Sequence, residues 1–169
     1  MSKITRPRLE IPFTTFEIVI EALGILSVAA MFIGLIVAFP DLPQVVPMHL
    51  SFDGRVDRMD EKIHLIWPPI ISLALYILLT LLARFPERFN YAVNISPENA
   101  FYQYRNARLF VGVIKAFLSF WASAFFLYTL RITGGLGTRV PFVGPALFVF
   151  MASTLILTVF FMRRALRNS

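Results

Sequence analysis

Residues 42–62 read LPQVVPMHLSFDGRVDRMDEK and separate two long apolar runs, 18–39 and 65–83. The stretch holds His49, one of the chain's two histidines, together with Asp53, Asp57 and Asp60 and a turn-forming Asp53-Gly54 pair. Its flanks decide the fold. Roughly 20 apolar residues in a helix cross a hydrocarbon core, and both flanking runs meet that length. Two further runs of the same kind follow at 109–130 and 142–162. The expectation is an all-α integral membrane protein, one membrane domain over residues 1–169, with four transmembrane helices and a structured loop between the first two.

Composition agrees. The 169 residues are 57% hydrophobic and 15% charged, with a mean hydropathy of +0.71, outside the range of a water-soluble domain of this size. The first run is too long for the apolar segment of a signal peptide, and no small-residue cleavage site follows it, so it reads as a retained anchor. With no cysteine in the chain, disulfides, zinc-thiolate sites and thiol nucleophiles are excluded.

Basic residues set the expected orientation, because Lys and Arg are retained on the cytoplasmic side. Lys3, Arg6, Arg8, Arg84, Arg88, Arg105, Arg108, Arg163, Arg164 and Arg167 flank one side; Arg55, Arg58, Lys62, Arg131 and Arg139 flank the other. Both termini are therefore expected inside, with residues 42–62 outside. The net charge of +6 is read as a topology signal with attraction to anionic lipid, and not as a nucleic-acid footprint.

Within the spans, Ala30, Gly34 and Ala38 recur once per turn, a stripe suited to close helix packing and a candidate homo-oligomer face. Glu21 and Lys115 are ionisable groups inside apolar runs, at depths that allow them to meet. Intramembrane charges are functional candidates; interfacial anchoring or a structural pair is favoured here over an ion relay, since no deeper ionisable group continues a path. Pro68 and Pro69 after Trp67 suit the first turn of the second span. In NISPENAFYQYRNARLF, residues 94–110, Ser96 is expected to cap an interfacial helix over 97–108, with Pro97 first, Glu98 near the positive end, and Tyr104 and Arg105 along the membrane surface. The stretch RITGGLGTRVPFVG, residues 131–144, reads as a flexible turn.

From Val46 to Asp53 apolar and polar residues alternate, so the quoted loop is expected to form a small extended lid turning at Gly54, with a weaker second strand. One edge, Val46, Met48, Leu50 and Phe52, is expected to lie against the outer ends of the helices or the lipid, and the other, with His49, Asp53 and Asp57, to face water. The lid's shape is expected to rest on Pro43, Pro47, Gly54 and a buried Asp57–Lys62 pair. His49 with nearby carboxylates is also a conceivable metal or acid–base site, but one histidine in a hydrated loop is commonplace, and no nucleophile motif accompanies it. No cofactor or metal is expected.

The spacing Leu42-Pro43, Val46-Pro47, His49, Gly54, Asp57 and Lys62, placed after a first span, resembles the bacterial family called domain of unknown function 1648, which includes SdpI-like membrane proteins. Asn90-Tyr91, Pro97-Glu98-Asn99-Ala100 and Gln103-Tyr104-Arg105 resemble that family's approach to its third helix. The resemblance implies a multi-pass membrane protein with no established catalytic activity, and in a few members immunity to a peptide toxin, or sensing of it. It departs at Leu50, where an aromatic is frequent, and at Met59-Asp60, where a Trp-Gly pair is common. The reading is thus a non-enzymatic membrane protein whose outer loop recognises an extracytoplasmic peptide or a partner membrane protein. The competing readings are a small transporter or channel using Glu21 and Lys115, and a metal-dependent membrane enzyme centred on His49.

Overall fold

A computed structural model describes residues 6–133 and 142–167. Among the described residues four helical segments are long and apolar enough to cross a membrane: α1, Thr15–Ala38; α2, Trp67–Leu82, together with the 3-10 segment Lys62–Ile66 that precedes it; α3, Ala100–Arg131; and α4, Val143–Leu166. Between α1 and α2 stands a two-stranded antiparallel hairpin, β1, Val45–Leu50, and β2, Val56–Glu61. The glycine-rich turn expected within 131–144 falls largely outside the described residues.

Local chemistry explains the boundaries. Thr14 caps α1 in a reciprocal capping box: its hydroxyl accepts from the Glu17 amide at 3.3 Å, and the Glu17 carboxylate accepts from the Thr14 amide at 2.8 Å. Pro40, which has no amide hydrogen, stands where α1 gives way to the short 3-10 turn Phe39–Asp41. A second 3-10 segment, Lys62–Ile66, leads into α2, whose opening prolines sit where a missing amide hydrogen costs nothing.

The stretch before α3 differs from the expectation. Residues 97–99 form a turn, and the helix begins at Ala100 with Asn99 as its cap residue. Ser96 does not cap it. The Asn99 side chain instead accepts from the Ser96 amide at 2.9 Å and the Ala100 amide donates to the Ser96 carbonyl at 2.9 Å, which closes the turn. Residues 97–108 are the approach to the third span. From Ala100 they continue unbroken into the span, giving 32 residues, about 48 Å at 1.5 Å per residue. Tyr104 and Gln103 are fully buried, so this first part of α3 is packed inside the protein instead of lying along a surface. Tyr104 contacts Tyr91, with ring centroids 5.8 Å apart, and Gln103 donates to the Ala165 carbonyl of α4 at 2.9 Å.

α1 and α3 form the central helix pair. The glycine stripe serves this pairing: a side chain at Gly34 would meet Leu127 of α3, and one at Gly24 would meet Tyr76 of α2 and the backbone of Ala116. Gly34 is therefore used within the chain, and Ala38 lies against the main core. That core, Met31, Leu35, Leu42, Val46, Leu65, Phe126 and Leu130, lies at the hairpin end. α4 is the least covered helix, with most of its apolar side chains on the periphery.

Candidate functional site

The hairpin is fastened to the helices at its base and is exposed along one face. Val46 is fully buried among Met31, Leu35, Phe126 and Leu130. Because strand residues alternate between faces, Val45 and Pro47 point the other way, opposite Glu61 and Met59. Val45 and Met59 are about half exposed. The apolar edge is only partly docked: Met48 and Leu50 pack inward, and Phe52 reaches Gly144 at the start of α4 yet stays 73% exposed. The second strand is as long as the first, contrary to the weaker strand expected from its polar sequence. Backbone pairing with β1 supplies the order that its own alternation lacks.

Gly54 adopts φ 80°, a backbone region open to glycine and costly for residues with a Cβ. Its amide donates to the Ser51 carbonyl at 2.8 Å, and the Ser51 amide to the Arg55 carbonyl at 2.8 Å, closing the turn. Inside that turn Asp53 accepts from the Ser51 hydroxyl and the Arg55 guanidinium, both at 2.5 Å. These donors, the Ser51 hydroxyl foremost, hold the Asp53 carboxyl down to about 2. On β2, Asp60 lies 2.9 Å from Arg58 and 3.0 Å from His64, and its carboxyl is lowered chiefly by the Arg58 hydrogen bond.

The motif residues pair differently from the expectation. Asp57 does not meet Lys62. Its carboxylate lies 2.6 Å from His49 Nδ1, on the exposed side of the hairpin. Lys62 instead reaches back to the end of α1, donating to the carbonyls of Leu42 at 3.0 Å and Phe39 at 3.2 Å, with its ammonium 4.8 Å from the Phe39 ring. The cation thus satisfies carbonyls left without partners as the helix unwinds, and it ties the hairpin's exit to its entry. Irregularities in the register between Pro47 and His49, and again between His49 and Leu50, alter the pairing phase and bring His49 beside Asp57. Pro43 lies exposed at the approach to β1. Among the described residues no three His, Asp or Glu side chains converge as a metal set would require.

Glu21 and Lys115 do come together. Lys115 Nζ lies 2.7 Å from each Glu21 carboxylate oxygen and 2.7 Å from Thr80 Oγ1. The Tyr76 hydroxyl donates to Glu21 at 2.8 Å, and its ring lies 4.4 Å from the ammonium. One cluster therefore joins α1, α2 and α3. A cavity of about 470 Å³ touches Glu21 and Thr80 on the side of the N-terminal segment, and a smaller one of about 160 Å³ touches Tyr76, Lys115 and Ser119.

A second buried pair escaped the sequence reading. Arg108 Nε donates to Glu17 at 2.9 Å, while its two terminal nitrogens donate to the carbonyls of Ile11 at 2.6 Å and Pro12 at 2.8 Å. Phe13 lies against the guanidinium, 4.4 Å away. Arg6 similarly donates to the carbonyls of Phe89 at 2.6 Å and Glu87 at 3.1 Å, under the Tyr91 ring. Two arginines expected only as topology markers thus strap the N-terminal segment beneath the bundle. The available signal was Thr14-x-x-Glu17, a capping box that places a carboxylate at the start of the span. Of the other inner residues, Glu98 is exposed and its carboxyl is lowered by the Ser96 hydroxyl, and Arg105 is exposed.

With this geometry in place, one comparison with known proteins bears on the hairpin. Residues 25–73 match the model described as Domain of unknown function (DUF1648). Over this stretch the chain is similar to that family. The match runs from within α1 through the whole hairpin to the first half of α2, so the DUF1648 region contains the buried Val46 anchor, the His49–Asp57 pair and the Lys62 tie. Glu21, Lys115, Glu17 and Arg108 lie outside it. No curated protein and no solved structure matches the chain.

Proposed function

We propose that the chain is a non-enzymatic, multi-pass protein of a bacterial cytoplasmic membrane, with both termini inside, and that its outer hairpin is a recognition platform for an extracytoplasmic amphipathic peptide. The reading is of the immunity or sensing kind known for SdpI-like members of the family. The observation that carries it is the two-sidedness of the hairpin. One face is fixed to the core by Val46, while the opposite face presents Val45 and Met59 beside Glu61 to the surroundings. A surface with apolar groups and a flanking carboxylate suits a cationic amphipathic segment, and residues 41–62 carry five Asp and Glu against three Lys and Arg.

Two measurements test it. A cysteine at Ser51 in intact cells is expected to react with a membrane-impermeant thiol reagent while one at Ser96 is protected; the reverse pattern would invert the orientation. Expression in a bacterial host sensitive to secreted cationic peptides is expected to raise survival, and Val45→Glu with Met59→Glu to remove that gain without lowering the amount in the membrane. Survival equal to that of an empty vector across the peptides tried would defeat the recognition reading.

The transport reading is supported by the two cavities that flank the Glu21–Lys115 pair. It demands that Glu21→Gln abolish a measurable flux in proteoliposomes made from folded protein. Against it stands the pair itself, in which the ammonium already has three oxygen partners at 2.7 Å.

A further inference from the structure

We propose that α4 carries a binding site for an anionic phospholipid of the leaflet on the side of the chain termini. Ile156, Val159, Phe160, Arg163 and Arg167 follow one another at helical spacing, so they form a single stripe along α4. Arg167 is the C-cap of α4 and keeps helical backbone geometry, so the stripe continues through it. The three apolar members and Leu155 are exposed and line a groove of about 640 Å³ that ends at the arginines.

The charge at that end is not consumed within the protein. Arg163 and Arg167 have no carboxylate partner among the described residues. Their neighbour Arg164 is differently engaged, its Nε donating to the Tyr102 hydroxyl at 3.0 Å on the side facing α3. Arg164 also lines the groove, but it is Arg163 and Arg167 that stand one turn apart on the stripe, two forked cations each able to donate to phosphate oxygens in pairs. From Leu155 to Arg163 the stripe rises about 12 Å, so an acyl chain can lie along the apolar part while its phosphate meets the arginines. Hydrocarbon covers this face in any membrane. What the arginines add is preference for a headgroup whose net charge is negative. Completing the negative end of the helix would need only one cation near the last carbonyls; it does not require a groove leading to a pair of them.

The test uses the full chain purified in a neutral detergent, followed by thermal unfolding and native mass spectrometry with added phosphatidylglycerol, phosphatidylcholine of the same acyl chains, or inorganic phosphate. Phosphatidylglycerol is expected to raise the unfolding temperature and to remain bound, with phosphatidylcholine and phosphate giving smaller shifts. Arg163→Gln with Arg167→Gln is expected to weaken phosphatidylglycerol binding roughly tenfold or more, while Arg84→Gln with Arg88→Gln, which removes the same charge elsewhere, leaves it within about twofold. Equal shifts for the two lipids, an equal shift from phosphate, or equal loss in both double variants would overturn the proposal. Should the α4 double variant fail to fold, Arg163→Gln and Arg167→Gln are taken singly against Arg84→Gln, and losses of phosphatidylglycerol binding no greater than in Arg84→Gln would equally overturn the proposal.

Discussion

Lys115 and Glu21 form an ion pair that joins α3 to α1, with the Lys115 ammonium 2.7 Å from both carboxylate oxygens and only 1% of its side chain exposed. A lysine so placed cannot reach the headgroups, so anchoring by snorkelling does not describe it. Removing one partner strands a charge in a low-dielectric interior, which costs more than the intact pair contributes. Lys115→Met is therefore expected to destabilise the folded protein by about 3 kcal/mol, seen as a lower unfolding temperature in detergent. Glu21→Gln with Lys115→Met should recover most of the loss. A double variant no better than the single would show that Thr80 and Tyr76, and not the ion pair, carry the coupling.

Lys62 gives a sharper test of the hairpin's base. Its ammonium satisfies two carbonyls, Phe39 and Leu42, at either end of the 3-10 turn after α1, and Lys62→Met leaves both without that donor. A loss of about 1–3 kcal/mol is expected, together with faster amide exchange across residues 39–50. Asp57→Ala should spare this segment, because Asp57 pairs with His49 instead; equal exchange in the two variants would reinstate the Asp57–Lys62 link.

How far the sequence revealed this arrangement depends on what each residue's partner is. Glu21 and Lys115 stood out because nothing apolar surrounds a charge without reason, and two such charges at matching depth have one obvious solution. The hairpin was legible in β1 through its alternation and in Asp53-Gly54 through turn chemistry. β2 was not, because VDRMDE alternates poorly and derives its order from pairing with β1. The Asp57–Lys62 pair failed for a related reason. Asp57 and Lys62 stand five residues apart on β2 and its continuation, so strand alternation turns them to opposite faces, Asp57 toward His49 and Lys62 toward the chain that enters the hairpin. Lys62 met backbone carbonyls, partners that have no letter of their own in a sequence.

At Gly54, φ 80° is a conformation that a β-branched side chain resists. Gly54→Val is expected to cost about 1–2 kcal/mol and to loosen the turn, whereas Gly54→Asn, which tolerates the left-handed region, should cost less. Proteolysis between residues 51 and 56 measures the difference; equal cleavage of both variants and the parent would show that the turn does not depend on this backbone state.

The turn should also have a defined response to acid. Asp53 is depressed from an ordinary value of 3.8 to about 2, so its contribution to turn stability is fully present above the unfolded value and is lost as pH falls through the folded one. At neutral pH the turn is insensitive to small pH changes; weakening is expected between about pH 3.8 and 2. A carboxyl carbon NMR titration of Asp53 should show the low midpoint, and Ser51→Ala should raise it, because the serine hydroxyl is the principal cause. A midpoint near 3.8 in the parent protein would remove the hydrogen-bonded turn from the account.

Arg108 supplies the last prediction, and it concerns the end of the bundle away from the hairpin. Its guanidinium serves Glu17 and the carbonyls of Ile11 and Pro12 at once, a set of directions that a planar fork can fill and a single ammonium cannot. Arg108→Lys should keep the charge opposite Glu17 yet release the N-terminal segment, whereas Arg108→Met should do both and lower stability by about 3–5 kcal/mol. Protease sensitivity within residues 6–14 reports the segment, and thermal unfolding reports the pair. If Arg108→Lys leaves the segment as protected as in the parent, charge alone holds it in place, and the carbonyl contacts are incidental to the strap.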